Sequence, residues 1–120
     1  MGYHLLYFYK LKPARGDKFF EILRQTGEKY KEYGGEPEEV FKLESAAKDY
    51  GLNSIGRLLN PEDEEEIWLG IVKFKSESHA KKVMSLFDKD PKVNELYHEF
   101  IRDVVPLRNI SYGEFRKQDY

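Results

Sequence analysis

Hydrophobic residues fall on both faces of two segments of this chain, Tyr3–Leu11 and Ile67–Lys75. In the first, Tyr3, Leu5, Tyr7 and Tyr9 alternate with His4, Leu6 and Phe8; in the second, Ile67, Leu69 and Ile71 alternate with Trp68, Gly70, Val72 and Phe74. Side chains of a strand point alternately to opposite sides, so both segments read as central strands covered on two faces. Between them, Phe19, Ile22, Leu23, Thr26, Tyr30 and Tyr33 keep the spacing of one helical face. Asp17 is the expected N-cap, and Gly34-Gly35 the expected stop. A second strand is expected over Glu39–Glu44, with fewer apolar positions, as suits a sheet edge.

Asp49-Tyr50-Gly51 reads as a turn, Ile55–Leu59 as a short strand, and Asn60-Pro61 with the acids Glu62 to Glu66 as a solvated connection. After the central strand, Ser76 is a cap residue with Glu77 at the positive end of a helix. Ala80, Val83, Met84 and Phe87 are the buried face of that helix. Asp90-Pro91 begins another helical piece, buried through Val93, Leu96, Tyr97, Phe100 and Ile101. Pro106 breaks it, Asn109–Phe115 is the last strand, and Arg116 to Tyr120 is a frayed tail. The order β-α-β-β-α-β is the split arrangement of ferredoxin-like α+β domains, a four-stranded antiparallel sheet with helices on one face. Residues 1–120 make one domain.

One sheet face therefore lacks a cover. Gly70 suggests close approach of a helix, which turns Trp68, Gly70, Val72 and Phe74 toward the helices and Ile67, Leu69, Ile71 and Lys73 away. On the first strand, His4, Leu6 and Phe8 are assigned to the helices and Leu5, Tyr7 and Tyr9 to the open face, where water can reach phenolic hydroxyls. Six large side chains at ~2 kcal/mol each represent on the order of 10 kcal/mol, comparable with the stability of a whole domain. A second copy of the sheet packed against the first, a homodimer, is the simplest cover.

Composition removes whole classes of function. The chain has no cysteine, hence no disulfide, thiolate metal site or cysteine nucleophile. Net charge is −2 and basic residues alternate with acidic ones, so no nucleic-acid-binding stripe is present. No stretch reaches the ~20 apolar residues of a membrane span, and no signal peptide is visible, so a cytoplasmic location is expected. Abundant Lys and Glu beside a single Thr resemble the composition of heat-adapted proteins and suggest a thermophilic source.

Tyr30-Lys31-Glu32-Tyr33-Gly34-Gly35, Arg57, Asp90-Pro91-Lys92-Val93 and the closing Asn109-Ile110-Ser111-Tyr112-Gly113-Glu114-Phe115 resemble the uncharacterised YbaA-like group of the dimeric α/β-barrel superfamily. The resemblance implies two ferredoxin-like protomers packed sheet to sheet around a shared barrel. It brings no settled activity and no cofactor. Related barrels include cofactor-independent oxygenases and isomerases.

Chemistry is sparse. His4 reads as a structural histidine, His79 as an exposed one, and Glu95 with His98 as an isolated carboxylate–imidazole pair without the second copy that a di-iron bundle needs. No phosphate loop, nucleophile elbow or calcium loop occurs. No metal site or cofactor is expected. Nine tyrosines are many for this length, and aromatic side chains can line a pocket or fill an interface. Tyr7, Tyr9 and Lys73 are the candidate pocket-lining residues, with Arg57 and Tyr112 as polar candidates nearby. The expected function is a homodimer binding a small organic ligand inside the barrel. The alternatives are a cofactor-independent oxygenase or isomerase acting on an aromatic or polyketide-like substrate, and a purely structural or partner-binding dimer.

Overall fold

The computed structural model describes Gly2–Lys48 and Tyr50–Tyr120. Strand β1 (Tyr3–Leu11) leads through a single 3-10 turn to helix α1 (Gly16–Glu32), edge strand β2 (Glu39–Lys42), the short helix α2 (Ile55–Leu59) and strand β3 (Glu66–Phe74). Helices α3 (Glu77–Phe87) and α4 (Pro91–Asp103) follow, then strand β4 (Ile110–Arg116). The four strands form one antiparallel sheet in the order β2-β3-β1-β4. This is the ferredoxin-like α+β arrangement, with the two doubly apolar strands at its centre.

Several local expectations are met by their capping chemistry. The Ser76 hydroxyl accepts from the backbone N–H of His79 at the start of α3, and Asp90 accepts from those of Lys92 and Val93 at the start of α4. Gly34 holds the left-handed conformation just past α1, at φ +93°. Other local readings need correction. Ile55–Leu59 is a helix, not a strand: Ser54 caps it by accepting from Arg57, and Asn60 closes it in the left-handed region. Helix α1 starts at Gly16 behind the 3-10 turn Pro13–Arg15, so Asp17 lies in its first turn rather than at its cap. Strand β2 stops at Lys42. Of the expected turn at 49–51, Asp49 lies outside the described residues.

The largest correction concerns β1. Tyr3 pairs with Phe74, Leu5 with Val72, Tyr7 with Gly70 and Tyr9 with Trp68. Directly opposed residues share a face, so the tyrosines and Leu5 turn toward the helices. Leu5, Tyr9 and Leu11 are core residues. The open face instead carries His4, Leu6, Phe8 and Lys10 with Ile67, Leu69, Ile71 and Lys73, flanked by Phe41 and Phe115 from the edge strands. His4 sits there with a buried Nδ1 that has no hydrogen-bond partner among the described residues.

The core between sheet and helices forms two clusters. One gathers Leu5, Tyr30, Val72, Phe74, Val83 and Phe87 beneath α3; the other gathers Tyr9, Leu11, Phe19, Ile22, Leu96 and Phe100 between α1 and α4. Tyr7 packs against both.

Asp90 ties the helices together. Its Oδ1 accepts the two cap N–H groups, while Oδ2 meets Lys29 Nζ at 2.9 Å and accepts the Tyr33 hydroxyl. These donors hold the Asp90 carboxyl well below the usual carboxylate range, the Tyr33 hydrogen bond contributing most. A depressed native pKa adds stability above the unfolded value near ~3.9 and loses it as pH falls. Asp90→Asn is therefore expected to melt below wild type at pH 7, with the gap closing as pH falls below about 4. Thermal denaturation across pH 2 to 8 checks this, and a constant gap would contradict it.

Candidate functional site

The seam between the two core clusters is not filled. A cavity of about 340 Å³ lies there, walled by β1, α1 and α4 and closed at one side by β4. Its apolar lining includes Ile22, Leu23, Phe87, Val93, Leu96 and Phe100, and its polar groups are Glu38, the Thr26 hydroxyl and the phenols of Tyr7, Tyr9, Tyr30, Tyr97 and Tyr112.

Glu38 is the central polar group. It precedes β2, and its carboxylate lies where a side chain of Gly70 would be: a Cβ on Gly70 would fall on Glu38 Oε2 and 3.0 Å from the Tyr9 ring. A glycine in a central strand weakens the sheet, and here its place is taken by a carboxylate from the neighbouring edge rather than by a helix backbone. A second glycine serves the same segment. Gly27, buried inside α1, lets Pro37 approach so closely that a Cβ there would lie 3.1 Å from Pro37 Cβ. Two glycines on opposite sides therefore make room for the Pro37-Glu38 segment.

The Tyr9 hydroxyl donates to Glu38 Oε2 at 2.5 Å. Oε1 has no hydrogen-bond partner among the described residues. Burial pushes the Glu38 carboxyl up to about 7, and the Tyr9 hydrogen bond opposes that rise. The phenols of Tyr7, Tyr9 and Tyr30 are all raised, by burial first and by the negative charge of Glu38 as a lesser cause, so they remain neutral donors. Tyr7 stacks on Tyr9 with 5.9 Å between centroids, and Tyr30 stacks on Phe87 at 4.1 Å. Tyr112, whose ring lies 4.9 Å from Tyr7, donates to Glu114. The hydroxyls of Tyr7 and Tyr30 have no acceptor among the described residues, and neither is sealed from the cavity.

The structure brings Tyr7, Tyr9 and Tyr112 together around this cavity, on the helix side of the sheet. Lys73 lies on the other face, paired with Glu39 at 2.9 Å. Arg57 is in α2 and does not line the cavity. Glu38 was missed because Glu36-Pro37-Glu38 falls between the expected helix stop and the expected strand, where acids read as solvated. The signal for it was Gly70, whose missing side chain leaves room for a neighbour. The histidines take no part. His79 Nδ1 accepts from Lys75 N–H, so its Nε2 carries the proton and donates to Gly34 O at 2.9 Å, fastening α3 to the end of α1. Among the described residues no group of three or more His, Asp or Glu could hold a metal ion, and no helix is long and apolar enough to cross a membrane.

No family model matches the chain, and no curated protein matches it. Solved structures do. The protein At3g17210 from Arabidopsis thaliana is similar with a TM-score of 0.62 at 10% identity, over 100% of this chain and 98% of that one. SnoaB, a cofactor-independent oxygenase from Streptomyces nogalater, is similar with a TM-score of 0.57 at 10% identity, over 99% and 95%. An uncharacterised NIPSNAP-like domain protein from Burkholderia xenovorans gives 0.58 at 9% identity, over 99% and 87%. At such identities the likeness speaks for the fold alone, the ferredoxin-like α+β arrangement described above.

The raised pKa of Glu38 has a stability consequence. A carboxyl that is harder to ionise in the folded state favours folding below its unfolded value near ~4.3, and that contribution is lost as pH rises to about 7. Glu38→Gln, which keeps the shape of the neutral acid, is therefore expected to gain on wild type between those limits. The gain should reach on the order of 2–3 kcal/mol at pH 8. Denaturant unfolding at pH 4 and pH 8 checks the sign. Equal differences at the two values would show that Glu38 is solvated.

Proposed function

We propose that this protein is a homodimer in which each protomer binds a planar, largely apolar organic molecule in the cavity between sheet and helices, with Glu38 and the phenols around it as polar anchors. The observation that carries this reading is the Glu38–Tyr9 pair, its carboxylate half-buried, in a largely apolar cavity. A carboxylate taken out of water costs stability that an apolar filler would not, so a packing role leaves it unexplained. Few convergent polar groups in an apolar hollow are the usual make-up of a small-molecule site. Among the described residues nothing lining the cavity is cationic, which favours a neutral ligand over a carboxylate or phosphate.

The second copy belongs on the open face. Leu6, Phe8, Leu69 and Ile71 lie there beside Phe41 and Phe115, about half exposed at the edges. The ligand site and the dimer face are thus on opposite sides of one sheet, whereas a site between the two sheets would have placed the tyrosines inward. A second reading, a cofactor-independent oxygenase or isomerase, is favoured by one observation: an acid poised near neutrality beside the cavity. The likeness to SnoaB adds only analogy of fold.

A thermal-shift screen with α-naphthol, menadione, naphthoic acid and haem tests the ligand reading. Neutral bicyclic compounds are expected to stabilise wild type by ~2.7 kcal/mol at a hundredfold excess over Kd. Tyr7→Phe and Glu38→Gln should weaken that effect, and Lys73→Ala, on the other face, should leave it unchanged. No shift with any compound would leave a purely structural dimer standing. For assembly, light scattering at micromolar concentration is expected to give twice the chain mass. Leu69→Asp or Ile71→Asp should dissociate or unfold the dimer by placing an unpaired charge in the interface. A wild-type monomer would overturn it.

A further inference from the structure

Three features of the cavity narrow what it can do to a bound molecule. First, no serine, cysteine or lysine lines it among the described residues, and its one aliphatic hydroxyl, Thr26, donates to Leu23 O. Second, Glu38 presents one uncommitted carboxylate oxygen, Oε1, while Tyr9 holds the other and fixes the group over Gly70. Third, the two hydroxyls without partners, on Tyr7 and Tyr30, come from β1 and α1 and open into the same cavity as Glu38. A positioned base and a pair of neutral donors are the parts required to move a proton from carbon and to hold the oxygen that becomes negative.

We propose that this site takes a neutral, enolisable carbonyl compound and transfers a proton on it, with Glu38 as the base and the Tyr7 and Tyr30 hydroxyls donating to the carbonyl oxygen. The proposal rests on the ligand reading above and adds the substrate class and the reaction. In the first half, the C–H bond beside the carbonyl breaks, its proton passes to Glu38 Oε1 and its electron pair moves through the new C=C bond onto oxygen. In the second half, the enolate re-forms the carbonyl, and Glu38 returns a proton to the same carbon or to the far end of a conjugated system. Nothing is oxidised or reduced, so no oxidant or cofactor is called for. Glu38 also lines the outer groove beside α1 with Arg24, Glu28 and Lys31, and this opens a path for its proton to exchange with water.

The protonation states fit the task. Burial sets Glu38 near 7 with no charged neighbour among the causes, so at neutral pH a large share is the free base. The raised phenols stay protonated where donors are needed. The Tyr9 hydrogen bond favours the carboxylate, so its loss should make Glu38 harder to ionise.

The test is exchange of the α-hydrogens of β-tetralone in deuterium oxide, followed by proton NMR, with binding of the same ketone followed by thermal shift. Wild type is expected to accelerate exchange saturably over buffer, with a rate that rises with pH to a plateau and a midpoint near 7. Glu38→Gln should lose about a hundredfold or more, the usual share of a positioned base. Tyr7→Phe and Tyr30→Phe should each lose roughly tenfold or more. Tyr9→Phe, which keeps the aromatic packing, should move the midpoint upward, a change that general loosening of the fold would not produce. Binding without Glu38-dependent exchange would overturn the proton-transfer proposal and leave the ligand reading intact. Neither binding nor exchange would overturn both.

Discussion

The Glu38 carboxylate occupies the space above Gly70 in the middle of β3, and the arrangement of the helix side follows from that placement. With no side chain at Gly70, Tyr7, its direct partner on β1, has room to lie over the sheet, and Tyr9 can reach Glu38. Any larger residue at Gly70 would expel the carboxylate and leave the Tyr9 hydroxyl buried without its acceptor, at a cost of ~1–3 kcal/mol. The one carboxylate of the hollow is thus held by the geometry of a single strand position.

That anchor needs a rigid frame, because Glu38 comes from the segment before a four-residue edge strand. Edges are the less stable parts of a sheet, yet this one is held from outside. Pro37 is pressed into the notch left by Gly27, although a glycine inside a helix costs roughly 0.5–1 kcal/mol relative to alanine. One turn further on, Tyr33 and Lys29 fasten the same helix to Asp90 at the start of α4. The two helices that wall the cavity are therefore joined at the end nearest Glu38 by groups with no part in the chemistry.

Much of this architecture was readable from local signals. Ser76 and Asp90-Pro91 announce helix starts because a cap is a contact within three residues, and Gly34 a stop because few other residues accept φ +93°. The centrality of β1 and β3 was readable because both faces carry apolar residues. For the same reason the orientation of β1 was not. When the two faces are equally apolar, alternation carries no label, and a one-residue slip exchanges them. The tyrosines added to the error: water was expected to satisfy their hydroxyls, and in the fold Glu38 and the cavity take that role. The helix at Ile55–Leu59 is the complementary case, five residues whose periodicity is too short to separate helix from strand.

The division of the sheet into two differently used faces explains why a candidate set drawn from one strand pattern split apart. Lys73 and the tyrosines appear to the eye as neighbours on a single polar edge of an apolar sheet, but pairing places Lys73 opposite His4 and Gly70 opposite Tyr7. On the open face a lysine can be neutralised by Glu39 across the strands and still snorkel to water. On the helix face, a cation beside Glu38 would have held its carboxyl low and fully ionised. With no cation among the described residues that line the cavity, burial outweighs the Tyr9 hydrogen bond and sets Glu38 near neutrality. A salt bridge there would have made a stronger fold and a weaker base.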